Sequence, residues 1–180
     1  RGIDVDSLPT FDIEFLFLNI RAKSIGEDIK MTVTCPDDKT TKVDLVVYVD
    51  EIKVTKPKDH TTDIVLDDKM TLRMKYPSLN QFVNSNFNVD DDPESVVDKT
   101  FQVVADCIDQ VYTGEDAWDA RDYSPSERMD FVSQLSSKQY KKVEKFFDTM
   151  PKLSHTIEFV NPNTKQKNSV VLEGLADFFG

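Results

Sequence analysis

Two hydrophobic periods alternate along the chain. Between Ser7 and Gly26 apolar residues recur at helical spacing, with Thr10 placed to cap the start, Asp12 and Glu14 suited to the positive end, and Gly26 suited to the stop. On a helical wheel Ile13, Leu16, Phe17 and Ile20 form one apolar stripe, and Phe11, Phe15, Leu18, Ala22 and Ile25 form another nearly opposite. A surface helix needs one apolar face, so this pattern predicts a helix held between two layers.

From Asp28 to Tyr76 the period changes to two. Met31, Val33 and Cys35 alternate with Lys30, Thr32 and Thr34, and Val43, Leu45, Val47 and Val49 alternate likewise, which predicts a hairpin through Pro36-Asp-Asp-Lys-Thr40. Further short strands are expected at Ile52–Val54, Asp63–Leu66 and Met70–Tyr76. Helical spacing returns after Pro77, with a short helix over Ser78–Val83 and a polar loop over Asn84–Asp92. A longer helix is expected over Glu94–Tyr112, on the stripe Val97, Phe101, Val104, Ile108 and Val111. Trp118 falls in a loop. Ser124-Pro-Ser-Glu127 and Ser136-Ser-Lys-Gln139 are capping boxes that open two helices, the first to about Leu135 and the second ending before Pro151. A second hairpin, His155–Val160 and Ser169–Leu172 around Asn161-Pro-Asn-Thr164, echoes the first in having an X-Pro turn followed by Lys.

The expected class is α+β, with antiparallel β-hairpins packed with several helices. Residues 1–180 divide by pattern into a leading helix (1–27), a β-rich part (28–76), a helical part (77–153) and a C-terminal hairpin (154–180). Hydrophobic residues make up 39% of the 180 and include twelve Phe, enough for a real core. The formal charge of −11, from 22 Lys and Arg against 33 Asp and Glu, argues against binding to nucleic acid or an anionic membrane. Apolar runs such as Phe15–Leu18 stay far below the ~20 residues that span a bilayer.

Candidate chemistry is sparse. X-Pro turns between strands are where zinc ribbons place Cys-x-x-Cys pairs, but the first turn here offers Cys35 and Asp38, and the second offers Asn161 and Thr164. Turns without metal are the favoured reading. Asn84-Ser-Asn-Phe-Asn-Val-Asp90 mimics a calcium loop, yet Val89 stands where Gly is needed and Ser95 where a bidentate Glu is needed. No Gly-rich phosphate loop or nucleophile elbow is present. A Cys-His pair would have to draw on Cys35 or Cys107 with His60 or His155, and packed thiols are the commoner role. No catalytic, metal or cofactor-binding residues are therefore expected, and no enzyme activity. Phe11, Phe15, Leu18, Trp118, Phe178 and Phe179 are the candidate partner-binding residues.

Several stretches carry a family resemblance. The segment Arg1–Glu27, with Tyr76-Pro, Ser136-Ser-Lys-Gln-Tyr140, Phe146-Phe-Asp-Thr-Met-Pro-Lys-Leu-Ser-His155 and Val171-Leu-Glu-Gly-Leu-Ala-Asp-Phe-Phe179, resembles the baseplate hub and hub-assembly family of T-even-like, contractile-tail bacteriophages. The resemblance implies a structural or chaperone-like protein of the hub that works by protein–protein binding. Its expected partners are other hub or tail proteins or further copies of itself, in the host cytoplasm during assembly and in the virion baseplate if retained. It also implies an additional region before Arg1. Some members carry cysteine pairs at the two X-Pro turns, and this chain does not. The competing readings are an acidic DNA-mimic or inhibitor protein and a degenerate zinc-ribbon-like adaptor.

Overall fold

Short hairpins cannot bury a face alone, and this chain resolves that problem twice, around two separate hydrophobic clusters. The computed structural model describes residues 5–79, 81 and 93–179. In chain order they form a 3-10 turn (Val5–Ser7), α1 (Thr10–Ile25), β1 (Asp28–Thr34), β2 (Lys42–Tyr48), a second 3-10 turn (Val49–Glu51), β3 (Lys53–Thr55), β4 (Asp63–Val65) and β5 (Met70–Met74). Then come α2 (Pro93–Asp106), β6 (Ile108–Thr113), β7 (Asp116–Asp119), a 3-10 turn (Ala120–Asp122), α3 (Pro125–Ser133) and α4 (Ser137–Thr149). The strands β8 (Lys152–Val160) and β9 (Lys167–Glu173) and the helix α5 (Gly174–Phe179) follow. All strand pairs are antiparallel, and the fold is α+β.

The chain folds as two compact units. One comprises Arg1–Thr10 and Pro57–Met150, the other Phe11–Lys56 and Pro151–Gly180. In the first, the sheet β4-β5-β6-β7 and the helices α2, α3 and α4 share a core containing Leu72, Met74, Val104, Cys107, Val132, Val143 and Phe146. His60 is buried beside it, with its ring nitrogens 3.0 Å from the Thr149 hydroxyl and 2.9 Å from the Tyr76 hydroxyl. In the second unit, the hairpin β1-β2 and the sheet β3-β8-β9 pack with α1 and α5 around Leu18, Ile29, Val47, Ile52, Leu153, Leu172 and Phe178.

The periodicities map onto these elements with a few shifts. The helix expected over Glu94–Tyr112 stops at Asp106, and its last turn is replaced by β6. Ile108 and Val111 fit the helical stripe, but tertiary pairing decides their conformation. Leu72 stands opposite Val111, Lys75 N–H donates to Cys107 O at 2.8 Å, and Cys107 N–H closes the helix onto Val103 and Val104. The expected loop around Trp118 is instead β7, which β6 joins through a two-residue turn with Gly114 at φ 65°. The strand expected from Ile52 begins at Lys53, after the 3-10 turn. The last hairpin ends at Glu173, and Gly174, at φ 67°, starts α5. Half of the helix expected over Ser78–Val83 and all of the loop Asn84–Asp92, with its calcium-like run, lie outside the described residues.

Both capping boxes form. Ser124 Oγ accepts from Glu127 N–H and Ser136 Oγ from Gln139 N–H, while each N3 side chain accepts from its cap residue's backbone N–H. Replacing Ser136 with Ala leaves the Gln139 N–H without its partner at the start of α4, so S136A should unfold at lower denaturant with a loss of about 1 kcal/mol. An unchanged midpoint would show that the cap contributes nothing here.

Candidate functional site

The two stripes of α1 part company in the structure. Phe11, Leu18 and Ala22 turn inward and are buried, while Leu16, Phe17 and Ile20 on the opposite stripe stay exposed, Ile20 at 64%. Phe17 meets the ring of Phe179 edge-on at 6.3 Å, and the Arg21 guanidinium lies 4.6 Å over that same ring. Glu14 accepts from Leu175 N–H at 3.4 Å, with its carboxyl pushed up by burial. These contacts hold α5 against α1 and cover part of Phe17, while Leu16 and Ile20 stay exposed.

Of the six candidate partner-binding residues, Phe11, Leu18 and Phe178 are buried core residues of this chain. Phe15, Trp118 and Phe179 keep 37–38% exposure. Trp118 sits on β7 and helps line a largely apolar cleft of about 470 Å³ with Met70, Val111, Tyr123 and Phe131. Of the stripe from which sequence reasoning drew Phe11, Phe15 and Leu18, the structure buries Phe11, Leu18 and Ala22 and leaves Phe15 and Ile25 exposed. The stripe carrying Leu16, Phe17 and Ile20 is the exposed one.

The second distinctive region is formed by the tips of the two outer hairpins of the same unit. Cys35 and Asn161 open equivalent turns. Each is followed by Pro, each carbonyl accepts an N–H from the residue four ahead at 2.9 Å, and those residues, Lys39 and Lys165, both have positive φ. The tips are joined by side chains. Asn161, fully buried, donates to Asp37 at 2.9 Å and to Asp38 at 3.0 Å, and its own Oδ1 accepts from Asn163 N–H and Thr164 N–H. The Thr164 hydroxyl donates to Asp37, Asn163 donates to the Thr41 hydroxyl at 2.9 Å, and Asp37 N–H donates to Asn168 at 3.2 Å. Asp38 also accepts from Thr40 N–H, Thr41 N–H and the Thr41 hydroxyl. No Lys or Arg pairs with either carboxylate among the described residues; neutral donors hold both charges.

These donors set the local acidities. The Thr164 hydroxyl and the Asn161 amide hold Asp37 below the usual carboxylate range, and the Thr41 hydroxyl and backbone amides hold Asp38 well below it. Cys35 moves the other way, pushed up by burial and then by the Asp37 and Asp38 charges. Cys107 is buried in the core of the other unit, and burial raises its thiol to about 12. His60 is occupied by Thr149 and Tyr76, and His155 Nε2 lies 3.8 Å from Glu51. None of these contacts pairs a histidine with a thiol.

Because both aspartates have folded pKa values below their unfolded ones, the stability they contribute is present above the unfolded value of about 4 and is lost as pH falls through the folded values. The melting temperature should therefore drop as pH is lowered from about 5 toward 2, and Asp38→Asn should be less stable at neutral pH with a shallower acid slope. An identical slope in the variant would mean that other carboxylates control the transition.

No helix among the described residues is long and apolar enough to cross a membrane. No curated protein and no solved structure shows a significant match to the chain. One family model does, and it matches from the first residue to the last, residues 1–180. Its match covers both units and supports the baseplate part of the resemblance. The chain belongs to the family of T4 bacteriophage base plate proteins.

Proposed function

We propose that this baseplate-family chain is a structural or assembly protein of the baseplate hub that acts by protein–protein binding and carries out no chemistry of its own. Family membership over residues 1–180 supports a place among baseplate proteins. The observation that carries the binding reading is the outer stripe of α1, where Leu16, Phe17 and Ile20 stand exposed on a helix already anchored by Leu18 and Ala22. Three large apolar side chains on one rigid face are the kind of surface a permanent or chaperoned assembly covers. The partner under this reading is another baseplate hub or tail protein. Phe15 and Phe179 border the patch, and Trp118 with its cleft offers a second contact on the other unit.

The stripe can be tested without disturbing the core. A Leu16→Glu, Ile20→Glu variant should keep its melting behaviour to within about 1 kcal/mol, because both positions are exposed. In infected cells it should no longer co-purify with baseplate proteins identified by mass, and tails should lack complete hubs. Leu18→Asp, which buries a charge, should fail to fold and serves as the contrast. Normal hub assembly by the folded double variant would refute the patch. Recovery of the native chain with a nucleic-acid enzyme and not with baseplate proteins would favour the inhibitor reading.

A further inference from the structure

The paired hairpin tips have the frame of a metal site without the ligands of one. In a two-hairpin zinc site each turn supplies two ligands three residues apart, and four thiolate or imidazole groups surround the ion. The corresponding positions here are Cys35 and Asp38 on one turn and Asn161 and Thr164 on the other. The backbones of the two turns match in their prolines, their hydrogen bonds of 2.9 Å and their positive-φ lysines. The side chains also converge. The Cys35 sulfur and the Asp37 and Asp38 oxygens lie within 4.8 Å of one another, Asn161 reaches both carboxylates, and Thr164 reaches Asp37.

The residues present do not fit a zinc ion. Asn161 turns its amide nitrogen, which has no lone pair to offer, toward the centre, and its oxygen is held by two backbone amides. Thr164 spends its proton on Asp37. Asp38 already accepts four hydrogen bonds, from Thr40 N–H, Thr41 N–H, the Thr41 hydroxyl and Asn161. Cys35 is the single sulfur, and burial beside two negative charges favours its protonated thiol over the thiolate a metal requires.

We propose that Asp37, Asp38, Asn161 and Thr164 form a hydrogen-bonded cross-brace standing where such a two-hairpin frame would hold a metal ion, and that it takes over the metal's task of fixing the hairpin tips together. The two charges that a cation would neutralise are instead spread over neutral donors from both turns. Asn161 is the pivot, since its amide alone touches both carboxylates while its oxygen sets the second turn. The brace therefore needs no metal supply and is indifferent to chelators. What it does require is ionised aspartates.

The test begins with the native chain, purified and dialysed against a chelator. Elemental analysis should find far less than one zinc per chain, the melting temperature should be unchanged by chelation, and added Co²⁺ should give no thiolate charge-transfer band. The frame is then tested by restoring its ligands. The variant Asp38→Cys, Asn161→Cys, Thr164→Cys, together with Cys35, should take up about one zinc per chain, give the thiolate band with Co²⁺, and become chelator-sensitive. Stoichiometric metal in the native chain, or a fall in its melting temperature on chelation, would overturn the replacement. A four-cysteine variant that folds without binding zinc, or that stays unfolded even when zinc is present, would overturn the frame. A variant that folds only on zinc addition supports it.

Discussion

The unit containing α1 depends on one burial event. Its two sheets have two and three strands, too few to hold a face out of water by themselves, and the three-stranded one joins β3 to strands about a hundred residues later. Leu18, with no exposed surface, and Ala22 lie in one buried cluster with Ile29 and Val47 of one sheet and Leu153 and Leu172 of the other. The buried residues of α1 and Phe178 of α5 thus enter the core that both sheets line. On the outward stripe Leu16 and Ile20 stay exposed.

Much of this was legible in the sequence, because the signals were local. Alternation marked β1, β2, β8 and β9, capping boxes marked α3 and α4, and Gly26 marked the end of α1, where its N–H returns to Ala22 O. Where local signals were ambiguous the reading overran. Ile108 and Val111 satisfy a helical stripe as well as a strand, and pairing with β5 settles them as β6. The opposed stripes of α1 were visible, but which of them turns inward depends on sheets brought in from elsewhere in the chain.

The hairpin tips were the least legible part. Cys35, Asp38, Asn161 and Thr164 were noticed for the ligands they lack, and composition alone suggested plain turns. The bonds that join them span more than a hundred residues, as between Asp37 and Asn168, 131 apart. The shared X-Pro pattern makes the two turns look alike, but no residue in either shows that their side chains bond to one another. A carboxylate in an acidic chain reads as solubility until the donors facing it are known, and several acidic groups here are structural. Asp67 accepts from two backbone amides and Gln139, and Glu127 closes a capping box.

The division of the chain has a consequence for the order in which it is made. The α1 unit is interrupted: it leaves off at Lys56, resumes at Pro151, and encloses the Pro57–Met150 segment of the other unit. A ribosome delivers α1 and the first hairpin early, yet Leu153, Leu172 and Phe178, which complete their core, emerge among the last residues of the chain described here. The intervening unit has its own core and can fold in the meantime. Through that interval Leu18 and Ala22 lack the late residues that complete the core around them.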